Sequence, residues 1–160
     1  TTEIYTLSLH DALPILEEYA RTGVRMNAEV TPELLLQIFY PNTPLHDGAV
    51  IVSNNRIIAG SCVMPLSSSG ILTRSPERQM GLRHRAGLGT SEATDAITVV
   101  VSEETGSISI AHNGRMIRRL DSERLENILL AFYQPAEISM FKLKPMDWLK
   151  KILTVPKREE

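Results

Sequence analysis

The sequence predicts an α/β domain, a mixed and largely antiparallel central sheet flanked by helices. Three observations point there. Two apolar runs flank Asn54-Asn55 and read as a β-hairpin. Two further runs are joined by the turn residues of EETG and lead into a second turn, HNG. Segments with helical start and stop signals stand between and around these hairpins. The coarse order is helix, hairpin, helix, hairpin, helix.

Residues 1–15, TTEIYTLSLHDALPI, have neither a clean helical nor a clean strand period. LEEYARTGVRMNAEV, residues 16–30, is polar and broken by Gly23, so a loop is expected. TPELLLQIFYP is a short helix. Thr31 suits the N-cap, Pro32 suits the first helical position, and Pro41 follows the end. Leu34, Leu35, Ile38 and Phe39 form its apolar face. AVIVSNNRIIAGSCVMPLS is the first hairpin, and the Ser-rich SSSGILTRSPERQ after it is a surface loop.

GLRHRAGLGTSEATDA carries a basic cluster and a short helix beginning around Arg85 or Ala86. AITVVVSEETGSISIAHNGRMIRRL is strand, turn, strand, turn and a short last strand. DSERLENILLAFYQP is an amphipathic helix, capped by Asp121 or Ser122 and closed by Pro135. In the tail, MDWLKKIL is a last candidate helix. Lys142, Lys144, Lys150, Lys151, Lys157 and Arg158 surround its apolar positions. Such a basic amphipathic segment can lie on a membrane surface, but packing of Trp148 on its own domain is the expectation here.

Length and composition set limits. At 160 residues, one domain is expected. The 42% apolar and 22% charged content is that of a soluble globular protein. A net charge of −2 gives no reason to expect nucleic acid as a partner, so any anion site must be local. Cys62 has no second cysteine to pair with and reads as a small buried hydrophobe, which suits a reducing compartment. No apolar stretch is long enough to span a bilayer, and no signal peptide is evident, so the chain as given is expected in the cytoplasm.

Three motifs can carry chemistry. In TPLHDGAVIV, Asp47-Gly48 reads as a turn into a strand. On residue types alone the turn is favoured; the functional reading is a carboxylate beside a glycine that lets a ligand lie against the backbone. His46 is then a candidate metal ligand. In GLRHRAGLG, Arg83, His84 and Arg85 put three potential cations between glycines. Arginine grips phosphate with a rigid two-pronged donor set, and a helix start adds N–H donors. The alternative is a solvated charged loop. In VVVSEETG, Ser102, Glu103 and Glu104 end an apolar strand, where functional side chains and hairpin tips both occur. His112 in AHNGR has no partner that the sequence identifies. Together, an acid beside glycine, a double-arginine phosphate site and further carboxylates suit nucleotidyl transfer. A sugar hydroxyl must lose its proton, and the attacked phosphate must be neutralised, normally with a divalent metal.

These residues also carry a family resemblance. ELLLQIFYPNTPLHDGAVIV, then GLRHRAGLGTSEATDAITVVVSEETGSIS and the following NG, resemble the catalytic domain of the bacterial diadenylate cyclases. The histidine before DGA resembles the membrane-anchored branch. The likeness runs from about Leu16 to Leu130, within a catalytic domain expected over 16–134 and followed by a tail, 135–160. It implies the diadenylate cyclase fold and the condensation of two ATP into cyclic di-AMP, a second messenger, with release of two pyrophosphates. Two subunits meet face to face, and each 3′-hydroxyl attacks the other ATP's α-phosphorus.

By the same resemblance, Asp47 helps activate the 3′-hydroxyl, and Arg83, His84 and Arg85 hold and neutralise phosphate. Gly48 and Ala49 lie along the nucleotide, Met64 contacts adenine, and Ser102 and Glu104 lie near the triphosphate and metal. His46 is the candidate ligand for a divalent metal, Mn²⁺, Mg²⁺ or Co²⁺. Self-association is needed for catalysis, a regulatory protein partner is possible, and the membrane is reached only through an N-terminal anchor missing here.

Three departures stand out. Leu82 occupies the nucleotide-binding position where the family has threonine, so a hydroxyl is missing. The loop SSSGILTRSPERQMG is longer than usual by a few residues. Residues 1–15 replace the family's short apolar strand and resemble translated sequencing-adapter sequence; a non-native segment of this kind is expected to pack poorly or to replace the strand imperfectly. Two rival readings follow. One is a catalytically weak or silent module that binds ATP or cyclic di-AMP. The other is a metal-dependent phosphohydrolase built on His46 and Asp47, with His84 and His112 as further ligands.

Overall fold

The structure, a computed structural model, describes residues 3–7, 13–68, 81–102 and 105–132. Most of the Ser-rich loop, Glu104 and the tail with Trp148 lie outside these residues. The elements in chain order are β1 (Glu3–Leu7), α1 (Leu13–Ala20), β2 (Val24–Glu29), α2 (Pro32–Ile38), β3 (Ala49–Ser53) and β4 (Arg56–Cys62). Then come α3 (Leu82–Ala93), β5 (Ile97–Val101), β6 (Ile108–His112), β7 (Arg115–Leu120) and α4 (Ser122–Phe132).

The strands form one sheet in the order β2-β4-β3-β1-β5-β6-β7. Only β1 and β3 pair in parallel; every other neighbouring pair is antiparallel. This is the mixed, largely antiparallel sheet the sequence predicts. Both expected hairpins form. Asn54 and Asn55 take positive φ, +49° and +58°, as the tight β3–β4 turn requires.

Strand alternation divides the core into two faces. Val50, Val52, Ile57 and Val99 pack with Leu35 and Ile38 of α2 and Leu125 and Leu129 of α4. Ala49, Ile51, Ala59 and Val100 pack on the other face with Leu16 and Ala20 of α1 and Ala86 of α3. Thr31 caps α2 as expected, its hydroxyl accepting from Leu34 N–H at 3.1 Å.

Two expectations are corrected. Residues 16–30 are not a loop: they hold most of α1 and all of β2. Val24, Met26 and Ala28 alternate with Arg25, Asn27 and Glu29, a strand signal masked by polarity because β2 is an edge strand paired only with β4. The helix α3 begins at Leu82, not at Arg85 or Ala86, and Arg85 N–H closes its first turn onto the Gly81 carbonyl at 3.1 Å. Gly87 does not end that helix but lets it settle on the sheet. A Cβ there would stand 2.7 Å from Val100 Cγ2.

Residues 3–7, from the segment expected to pack poorly or to replace a strand imperfectly, form β1. A segment without strand periodicity occupies the middle of the sheet, in unbroken register with β3 and β5. Pairing on both sides overrides its weak pattern. The fit leaves a mark: Thr6 is 0% exposed, directly opposite Thr98 and beside Ile51, and neither threonine hydroxyl has a hydrogen-bond partner. A buried hydroxyl left unbonded costs roughly 1–3 kcal/mol. Thr6→Val therefore stabilises the fold by about 1 kcal/mol or more, measured as a rise in the denaturant midpoint. A lower midpoint would show that the Thr6 hydroxyl is satisfied after all.

Candidate active site

The site is built where β3 begins and α3 begins. Asp47-Gly48 leads directly into β3. Gly48 has φ +109°, and a Cβ on it would stand 2.6 Å from the Ser61 carbonyl carbon. The chain thus enters β3 pressed against β4. Ser61, itself at φ +55°, donates its hydroxyl to the Asp47 carbonyl at 2.6 Å. These contacts fix the backbone and leave the Asp47 side chain 78% exposed.

Arg83, the second residue of α3, meets that carboxylate, with Nη2 2.8 Å from Oδ1. The Arg83 hydrogen bond holds the Asp47 carboxyl below the usual carboxylate range, against a smaller opposing push from burial. Asp47 is therefore ionised at neutral pH. The bond between the two groups is present there and is lost as pH falls through the acid range where Asp47 takes up its proton. Gly81 caps α3 with no side-chain hydrogen bond. The first N–H groups of a helix have no intrahelical acceptor, so they reinforce the positive end of this site.

The three cations of RHR do not converge. Successive helical residues point about 100° apart, so three in a row cannot face one ligand. Arg83 faces Asp47. His84 is half-buried toward β6, its Nε2 3.3 Å from Ser109 Oγ. Burial pushes its pKa down, helped by the charge of Arg118. Arg85 turns to the segment after β4, where Nη2 donates to the Ser67 carbonyl at 3.2 Å.

The other expected residues fall as follows. His46 Nδ1 donates to the Thr43 carbonyl at 2.5 Å, so Nε2 is the ring nitrogen not used in that bond. Among the described residues, no three His, Cys, Asp or Glu side chains gather into a metal-binding group. One carboxylate and one imidazole are a donor set that suits a borderline first-row divalent ion, which would complete its shell with water and phosphate oxygens, better than a hard ion that takes only oxygen ligands. Ala49 and Met64 are buried on the α1–α3 face. Leu82 is 65% exposed at the first position of α3. Ser102 is buried and organises the turn before β6: its N–H donates to the Ser107 carbonyl, and its own carbonyl accepts from Gly106 N–H.

Sequence reasoning missed Ser61, Ser67, Glu92 and Ser109, because no local pattern marks a polar side chain that braces a residue distant in sequence. Cys62 takes no part. Burial pushes its thiol up to about 11, which keeps it protonated and inert.

A family model described as DisA bacterial checkpoint controller nucleotide-binding, DAC, matches residues 4–116. The chain belongs to the DAC family. Cyclic di-AMP synthase CdaA of Bacillus subtilis is 50% identical over 117 residues, 73% of this chain and 41% of that protein. A diadenylate cyclase of Listeria monocytogenes is 49% identical over 115 residues, 72% of this chain and 41% of that protein. The chain thus spans about two-fifths of the length of these DAC relatives. Among solved structures, DacA from Staphylococcus aureus, in a double-mutant form, superposes with a TM-score of 0.74 at 36% identity. That likeness covers 84% of this DAC chain and 85% of that one. A hypothetical membrane spanning protein from Bacillus cereus gives 0.66 at 39% identity, over 75% of this chain and 55% of that one. No helix among the described residues is long and apolar enough to cross a membrane.

Proposed function

We propose that this chain is the catalytic domain of a diadenylate cyclase, condensing two ATP into cyclic di-AMP and two pyrophosphates. The observation that carries the reading is the Asp47–Arg83 pair, an ionised acid 2.8 Å from a guanidinium at the uncapped start of a helix. The relatives named diadenylate cyclase support it. In each half-reaction a 3′-oxygen bonds to the α-phosphorus of the other ATP. The bond from that phosphorus to the bridging oxygen breaks, and pyrophosphate leaves with the electron pair. Asp47 takes up or steers the hydroxyl proton. Arg83 and the first N–H groups of α3 neutralise the charge that builds on the phosphate.

Diadenylate cyclases are generally divalent metal-dependent. Asp47 and His46 Nε2 are the groups that would hold Mn²⁺, Mg²⁺ or Co²⁺. Such an ion supplies further charge neutralisation on the triphosphate and lowers the pKa of a bound hydroxyl. One ATP per subunit requires two sites to meet, so self-association belongs to the reading.

The test is incubation of the protein with ATP and Mn²⁺, with cyclic di-AMP sought by mass spectrometry over a range of protein concentrations. Cyclic di-AMP forms, and activity per subunit rises with concentration. Folded protein that binds ATP without product would favour the second reading, a silent nucleotide-binding module. Leu82 motivates that reading, because its exposed apolar side chain offers phosphate no hydroxyl.

A further inference from the structure

Arg85 is built into a clamp. Its Nη2 donates to the Ser67 carbonyl at 3.2 Å, and its own carbonyl accepts from Ser67 N–H at 3.0 Å. Ser67 is 2% exposed, and its hydroxyl donates to Glu92 Oε1 at 2.7 Å. Between these anchors the chain lies directly on the helix at Gly89. A Cβ there would stand 2.4 Å from the Pro65 carbonyl oxygen and 2.5 Å from Ser67 N. Two residues almost two helical turns apart therefore pin Ser67 to α3, across a glycine that admits its backbone.

The clamp joins the two halves of the site. Asp47 is held from the β4 side, through Ser61. Arg83 is carried by α3. The run from Cys62, the last residue of β4, to Ser67 connects those sides, and its far end is fixed by Arg85 and Glu92.

We infer that Arg85 is a positioning residue that clamps Ser67 to α3 together with Glu92, and that Arg83 is the cation of RHR that meets phosphate. Its catalytic consequence rests on the cyclase reading; the clamp itself rests on the hydrogen bonds. Loosening it lets Asp47 and Arg83 drift apart, which lowers turnover without removing a phosphate ligand. A misplacement on the order of 1 Å is enough for a large rate loss.

The experiment compares the full chain with Arg83→Gln, Arg85→Gln, Glu92→Gln and the Arg85→Gln/Glu92→Gln double variant. It reads kcat for ATP and the affinity for inorganic pyrophosphate. Arg83→Gln weakens pyrophosphate binding by about tenfold or more. Arg85→Gln and Glu92→Gln each lower kcat by about tenfold and leave pyrophosphate affinity within about twofold. The double variant is no slower than the worse single one, as expected for groups acting through one shared residue.

Pyrophosphate binding lost as fully in Arg85→Gln as in Arg83→Gln would overturn the inference. So would rate losses that multiply in the double variant. If Arg85→Gln does not fold, Glu92→Gln and Ser67→Ala decide by the same two readouts. If the parent chain makes no product, the cyclase reading fails. A denaturant-unfolding cycle on Arg85 and Glu92 then decides, with non-additive losses supporting the clamp and additive ones overturning it.

Discussion

Asp47→Asn abolishes cyclic di-AMP synthesis, lowering the rate by about a hundredfold or more, the range in which a positioned acid or base contributes. The fold survives. The side chain is 78% exposed, and its one ion pair is of the surface kind, typically worth about 0–1 kcal/mol. Asparagine keeps the shape and an oxygen for Arg83, so the substitution isolates charge from geometry. It removes the group proposed to take up or steer the hydroxyl proton, which is also the carboxylate that would hold a divalent ion. The melting temperature of the variant stays within a few degrees of the parent, and its circular dichroism is unchanged. Turnover at the parent rate would remove Asp47 from the mechanism. Arg83 holds the Asp47 carboxyl below its usual range, so protonation of Asp47 does not limit the rate in mildly acidic solution. A rate for Asp47→Asn that lies below the parent's at every pH of the profile completes the test.

What could be read in the sequence was whatever is encoded locally. Thr31 and Pro32 start α2, Asn54-Asn55 turns the first hairpin, and Asp47-Gly48 sits at a strand entry, each by short-range chemistry. The harder parts depend on pairing at a distance. TTEIYTL has no period of its own, yet Glu3–Leu7 is a central strand because β3 and β5 close on both sides of it. VRMNAE alternates correctly but sits at an edge, where its polar residues stay in water. RHR showed that this stretch is chemically rich, and Asp47 showed the same of its own. That they meet follows only from a bond across 36 positions. That RHR splits into one residue facing the site and two facing braces follows from where the helix begins. That start lies three residues before the expected one, and Gly87 and Gly89 inside the helix are points of close packing.

Gly48→Ala destroys the same activity by the opposite route, through the backbone. The residue holds φ +109°, where an L side chain is strained by about 1–3 kcal/mol. Its Cβ would also stand 2.6 Å and 2.8 Å from the Ser61 carbonyl carbon and Cα. Those are backbone atoms in the sheet and cannot swing aside, so overpacking adds roughly another 1–3 kcal/mol. A loss of about 2–6 kcal/mol is a large part of the stability of an ordinary domain. Relief can come only by pulling the entry of β3 away from β4, which carries Asp47 away from Arg83. Gly81→Ala is the control: among the described residues no atom beyond its chain neighbours lies within 4 Å of a Cβ there, and φ is an ordinary −60°. It leaves the melting temperature nearly unchanged. The two aspartate-glycine variants then separate what the motif does. Asp47→Asn loses chemistry at constant stability, and Gly48→Ala loses both. A Gly48→Ala protein that melts with the parent would mean that the chain enters β3 by another path, and the geometry drawn for Asp47 would have to be abandoned with it.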